Sequence, residues 1–175
     1  FIDSGASFIT SGTVGGIETY FIDLPDDKWH LISAPFQQTI NAAWVSAAGI
    51  ATGNVDNTNI AIGTYQNNTP NGVTGPWVYF KSTDAASAFT NGKGFSMKKL
   101  SKGMFIFNGN LDSSDKSINI TTGTGTGSSS WNLIGNPATS YLDVNQFLIT
   151  NTTPLKDAYE AVFVWNAETE NYDAL

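Results

Sequence analysis

Two stretches of this chain are near copies of each other: Trp29-His-Leu-Ile-Ser-Ala-Pro35 and Trp131-Asn-Leu-Ile-Gly-Asn-Pro137. They share W-x-L-I-x-x-P at an offset of 102 residues, from Trp29 to Trp131. In each copy an apolar, strand-like run ends at a proline and passes into a segment of helical pattern. A duplication of this kind constrains the fold more than any composition, because equivalent segments are expected to form equivalent elements. The first copy is followed by Asn91-Gly-Lys-Gly-Phe-Ser-Met97, with Gly94 lying 65 residues beyond Trp29. Its counterpart after Trp131 would fall at position 196, past residue 175. The expectation is therefore a fragment of a longer polypeptide, or a unit completed by a neighbour. Four segments result: a β-rich lead-in (1–24), a first repeat (25–122), a Gly/Ser/Thr connector (123–130) and an incomplete second repeat (131–175). The two repeats are expected to pack as one globular unit.

Composition then narrows the class. Thr, Asn, Gly and Ser make up about 40% of the chain, and 13% of it is aromatic. Short strands joined by polar turns suit that mixture, whereas the strong helix formers are scarce. The eight basic residues are all lysines and face fifteen acidic ones, for a net charge of −7. Nucleic-acid binding needs clustered cations, so it is not expected. An anionic membrane surface is disfavoured on the same ground, and no apolar run approaches the ~20 residues that span a bilayer. The absence of cysteine removes disulfides, thiolate catalysis and cysteine-based zinc sites. No signal peptide is visible, so the sequence is expected to begin after any processing.

Periodicity gives the elements. Apolar residues alternate over 17–22, and the Ser4–Val14 run has the rhythm of a β-solenoid rung. The first W-x-L-I run is itself read as a strand. Further strands are expected at Ile60–Tyr65, Trp77–Lys81, Gly94–Lys98, Met104–Asn108, Ser117–Thr122, Ser130–Gly135 and Ala161–Asn166. Thr39–Ala48 is the best helix candidate, with Thr39 as its cap and Gly49 as its stop. Its counterpart is Tyr141–Thr150, with Asp143 near its start. The expected fold is mainly β: a β-sandwich-like, two-layer architecture with an internal pseudo-repeat and one or two short helices.

Set in order, several motifs form a pattern: the two W-x-L-I-x-x-P runs, Tyr65-Gln-Asn-Asn-Thr leading to Trp77-Val-Tyr-Phe, Gly92-Lys-Gly-Phe-Ser-Met, Phe107-Asn-Gly-Asn-Leu, and Ala161-Val-Phe-Val-Trp165. Over roughly residues 17 to 175 the chain resembles β-rich repeat modules of large secreted or surface proteins of Bacteroidota, many exported by the type IX secretion system. The resemblance implies an extracellular location and a β-rich fold. It implies no reaction and supplies no catalytic residues. The chain departs from the pattern where the second copy stops soon after Asn166–Tyr172 without another G-x-G-F hairpin, and no sorting domain is visible.

Candidate chemistries rank as follows. His30 is the only histidine; strand alternation points it away from Trp29 and Leu31, toward solvent, and no nucleophile motif accompanies it. Asp26, Asp27, Glu168 and Glu170 lie in turn-like settings that do not raise a carboxyl pKa. Calcium is a possible ligand, with oxygens from Asn54, Asp56, Asn57, Asp112 and Asp115, although neither cluster matches an EF-hand loop. Glycan binding draws on aromatic platforms flanked by amides. Tyr65 and Trp77 bracket a polar loop containing Asn67 and Asn68, and Trp44 is a further platform, because its counterpart is Gln146. Trp29 and Trp131 are expected in the core. The leading expectation is a non-catalytic extracellular module contributing adhesion or glycan binding, with neutral polysaccharide or another surface protein as partner. A structural spacer or fibre subunit, associating through strand addition at an open edge, is the alternative. A polysaccharide-active enzyme is the least supported.

Overall fold

The alternation that marks strands in the sequence also assigns their faces. The computed structural model describes residues 2, 6–9, 14–53, 58–68, 76–82, 87–124, 129–152, 155 and 161–175. In chain order the elements are β1 (Glu18–Leu24), β2 (His30–Ser33), β3 (Gln38–Ile40), α1 (Ala42–Ala48), β4 (Asn59–Tyr65), β5 (Trp77–Lys81), β6 (Ser87–Phe89), β7 (Gly94–Met97), β8 (Gly103–Gly109), α2 (Val144–Thr150), β9 (Phe163–Asn166) and β10 (Asn171–Ala174). The fold is mainly β and sandwich-like, built from several antiparallel sheets.

The principal sheet runs β2-β7-β4-β5, all antiparallel. In this register His30 pairs with Met97, Ile32 with Phe95, and Ile62 with Met97. Side chains of paired residues share a face, so Ile32, Phe95, Met97 and Ile62 point together into the core. Opposite them stands the β1–β8 ribbon, in which Tyr20 pairs with Phe107 and Ile22 with Phe105. Along β8, Phe105 and Phe107 are fully buried while Met104 and Ile106 between them are exposed. The short β3–β6 pair brings in Phe89, whose ring meets Phe95 at 4.7 Å and Phe107 at 5.5 Å, both edge-to-face. One aromatic side chain therefore bridges the two layers.

Helix α1 is capped two residues later than the sequence implies. Thr39 and Ile40 belong to β3, and Asn41 is the cap, its side chain accepting from the Trp44 amide at 2.9 Å. Gly49 closes the helix in the left-handed region at φ 64°, a conformation that suits glycine. Helix α2 repeats this construction at the same offset of 102: Asp143 accepts from the Gln146 amide at 2.9 Å, as Asn41 does from Trp44. The duplication is thus structural as well as textual. Asn41→Ala is expected to lower stability by about 1 kcal/mol, read as a shift of the urea midpoint at unchanged slope.

Two expected strands do not form. Ser117–Thr122 lies outside every ladder, and of Ser130–Gly135 only Ile134 makes a bridge, to Lys93. Side chains satisfy much of this backbone instead: Asn132 accepts from the Thr121 amide at 3.0 Å and donates to the Thr121 and Ser130 carbonyls. Trp131, expected in the core, is 52% exposed, whereas Trp29 packs against the core. The expectation failed because burial depends on covering strands that the second copy lacks among the described residues. The lead-in is tied to both repeats. Its strand β1 pairs with β8 of the first repeat, and the Phe8 carbonyl accepts from the Thr139 hydroxyl of the second at 2.9 Å; within the lead-in, Ile2 bridges in parallel to Tyr20. Residues 4–5 and 10–13 of the expected solenoid rung lie outside the described residues, as do 125–128 of the connector.

Where the repeats meet, equivalent residues touch. A β-carbon on Gly135 would stand 2.3 Å from the β-carbon of Ser33, its counterpart at the 102 offset, and 2.6 Å from the Lys93 carbonyl oxygen. Ser33 also donates to the Asn136 carbonyl at 3.0 Å.

Candidate functional site

The face of the principal sheet away from the core carries aromatic residues by the same alternation. In the ladder Tyr65 pairs with Trp77 and Gly63 with Tyr79. The Tyr65 and Trp77 rings meet edge-to-face at 5.4 Å, and both residues are half-buried. A β-carbon on Gly63 would touch the Tyr79 ring at 3.1 Å, so the glycine lets that ring lie close over the central strands. Tyr79 then reaches Trp29, from the far side of the sheet, at 5.6 Å.

The β9–β10 hairpin closes over this face. The Trp165 indole N–H donates to the Trp29 carbonyl at 2.8 Å, and Trp165 meets Tyr172 at 5.1 Å. Burial raises the Tyr79 hydroxyl above its ordinary pKa. Burial, and then proximity to Tyr65, raise that of Tyr172. Lys28 anchors the hairpin turn through the Glu168 carbonyl at 3.2 Å and lies 3.8 Å from the Glu170 carboxylate. This exposed ion pair adds little by itself.

Polar groups frame the Tyr65–Trp77 pair. The Tyr65 hydroxyl and Ser129 Oγ are 2.7 Å apart. Asn67, only 8% exposed, donates from Nδ2 to the Thr121 carbonyl at 2.6 Å and accepts from the Thr121 hydroxyl at Oδ1. Asn68 is exposed and accepts from the Thr124 amide at 2.9 Å. Both asparagines thus staple Thr121 and Thr124 alongside the aromatic pair. In this role Asn67 positions the wall, while Asn68 stands at the surface.

The structure brings Tyr65, Asn67, Asn68 and Trp77 together and leaves Trp44 apart. Trp44 lies on the core side, edge-to-face with Phe89 at 5.4 Å and stacked on Phe105 at 6.3 Å, where it fastens α1. The aromatics that sequence reading missed are Tyr79, Trp165 and Tyr172. The spacing of Trp77 and Tyr79, two apart in one strand, is the signal that would have placed Tyr79 on the same face.

Of the calcium candidates, Asn54, Asp56 and Asn57 lie outside the described residues. The Asp112 carboxylate accepts from Lys116 Nζ and from both the amide and the hydroxyl of Ser114. The Lys116 ammonium, and then Ser114, hold it well below the usual carboxylate range. Asp115 is exposed nearby. Among the described residues, no three His, Asp or Glu side chains converge as a metal cluster would require.

His30 is not solvent-facing as expected. It does point opposite to Leu31, but that is the core side of the sheet; its side chain is 13% exposed, and Nε2 lies 2.8 Å from Asp26. The Lys28 amide, followed by the His30 ring, holds the Asp26 carboxyl below its usual range. A separate cleft of about 360 Å³ lies between α1 and the β4–β5 edge, lined by Ile40, Val45, Ile50, Ile60, Phe80 and Leu100 among others. Among the described residues no helix is long and apolar enough to cross a membrane. No protein-family model matches the chain, and neither a curated protein nor a solved structure shows significant similarity to it.

Proposed function

We propose that this chain is a non-catalytic module of a larger secreted or cell-surface bacterial protein, contributing adhesion by binding a neutral glycan. One observation carries the reading: Tyr65 and Trp77, directly opposite in the β4–β5 ladder, form a half-exposed aromatic corner walled by hydroxyl and amide groups. A pyranose ring offers one apolar face to an aromatic platform, and its hydroxyls to flanking amides and alcohols. Trp77 is the platform in this reading, and Asn68 and the Ser129 hydroxyl are the groups nearest the bound hydroxyls. Asn67 holds the wall. The net charge of −7 opposes anionic polysaccharide, unless calcium bridges the two.

Affinity electrophoresis against neutral and acidic polysaccharides, with and without calcium, tests this. Retardation by a neutral glycan is expected, and Trp77→Ala should weaken it by about tenfold or more with the far-UV spectrum unchanged. Equal retardation of the variant, or none across the panel, overturns the reading.

A further inference from the structure

Strand alternation sets out the outer face of the principal sheet in rows. One row holds Tyr65 opposite Trp77. The next, about 7 Å along the strands, holds Gly63 opposite Tyr79 and continues to Ser96 on β7. A two-residue step returns to the same face of a sheet, so Trp77 and Tyr79 look outward together. Gly63 and Ser96 are small, and they leave room above the middle of the sheet. A β-carbon on Gly63 would stand 3.1 Å from two atoms of the Tyr79 ring, and that ring meets Trp29, beside β2 at the opposite edge, at 5.6 Å. Tyr79 therefore leans across β4 instead of standing up from its own strand.

Packing holds the ring, but nothing holds the hydroxyl. Among the described residues no protein group bonds it. Of the unpartnered side-chain polar atoms in those residues only Asn91 Oδ1 is fully buried, so the Tyr79 hydroxyl still reaches the surface. The polar groups around it are engaged: the Tyr65 hydroxyl with Ser129, Asn67 with Thr121, Asn68 with the Thr124 amide, and the Trp165 indole with the Trp29 carbonyl. A tyrosine whose ring is packed away usually finds a partner for its hydroxyl. Here that partner must come from outside the protein. Burial raises the Tyr79 pKa, which keeps the hydroxyl protonated and able to donate as well as accept.

We infer that Tyr79 is a specificity-determining residue of the glycan site, its hydroxyl bonding the sugar unit next to the one stacked on Trp77, so that the ligand is a neutral oligosaccharide of two or more units. This inference rests on the glycan reading and extends it from one row of the face to two. The row spacing supplies the length: a group that meets Tyr79 belongs to the part of a ligand beyond the ring held on Trp77. The shape supplies the direction, since Tyr79 leans inward over β4 and the second unit is drawn toward the middle of the sheet.

Tyr79→Phe keeps the ring and its contacts with Gly63 and Trp29 and removes only the hydroxyl. The intact chain, Tyr79→Phe and Trp77→Ala are compared by affinity electrophoresis in xyloglucan, galactomannan, mixed-linkage β-glucan and soluble starch. The mono- to hexasaccharides of each polysaccharide serve as competitors. Tyr79→Phe should weaken retardation by about three- to tenfold while its urea midpoint stays where it was, because the hydroxyl bonds nothing in the fold. Tetrasaccharide should compete better than monosaccharide against the intact chain, and that advantage should shrink in Tyr79→Phe. Unchanged retardation of Tyr79→Phe, with Trp77→Ala still impaired, overturns the inference and leaves the glycan reading standing. Equal competition by monosaccharide and tetrasaccharide does the same. A lowered urea midpoint in Tyr79→Phe also overturns it, by showing that the hydroxyl serves the fold. No retardation of the intact chain in any of the four removes both.

Discussion

Phe89→Ala is expected to lower the stability of the chain by about 3–5 kcal/mol, the largest effect of any single truncation proposed. Phe89 is fully buried and touches an aromatic ring from each part of the core: Phe95 from the principal sheet, Phe107 from the β1–β8 ribbon and Trp44 from α1. Removing it leaves a cavity whose walls belong to three separate elements, so collapse of one wall cannot fill it. Edge-to-face pairs add about 0.5–1.5 kcal/mol each beyond burial, and this substitution loses three of them. Domains of this size are commonly stable by only about 5–15 kcal/mol, so most of the margin is at stake. Urea denaturation followed by tryptophan fluorescence gives the answer. A loss below about 1 kcal/mol would show that Phe89 does not hold the layers together.

Gly135→Ser is expected to cost about 1–3 kcal/mol or more, although it merely installs the residue that the first repeat carries at the same place. The new β-carbon would meet the Ser33 β-carbon and the Lys93 carbonyl oxygen, both well inside contact distance. Neither is the far end of a flexible side chain, so the clash is relieved only by moving backbone. Ser33→Gly on top of Gly135→Ser removes one of the two obstacles and should recover part of the loss, a coupling that a double-mutant cycle measures. Strict additivity of the two substitutions would mean that the repeats do not meet at this point.

β4, β5, β7 and β8 fall within about one residue of expectation. β8 shows the period of two that burial of one face imposes, whereas β4 and β7 are short runs buried on both faces and are marked instead by their length and the turn residues that bound them. The expected start of α1 is two residues early because Thr39 and Asn41 are both residues that cap helices. Only the distant Ser87–Phe89 segment, by pairing with β3, decides between them. Ser117–Thr122 alternates as a strand does, yet its neighbours are the side chains of Asn67 and Asn132, and no local rule anticipates an amide in place of a ladder. At the candidate site, the bracketing of a polar loop by Tyr65 and Trp77 was legible. That Asn67 is committed to Thr121, 54 residues away, was not, since hydrogen-bond partners remote in sequence leave no periodic trace. Trp44 was set apart by its unmatched counterpart Gln146. The structure shows where that indole goes: it packs on Phe89 and Phe105 in the core.

The meeting of Ser33 with Gly135 also bears on how two copies of one motif can share a chain. Where a duplicated unit packs so that a residue faces its own duplicate, the space at that point must be divided between two identical claims. Two serines do not fit; one serine and one glycine do. Divergence at this position is therefore a condition of the packing, and a symmetric pair of identical units could not use the same contact. Linking the copies covalently frees each to carry a different residue, so the asymmetry that makes the second repeat look degenerate is what allows the first to be held against it.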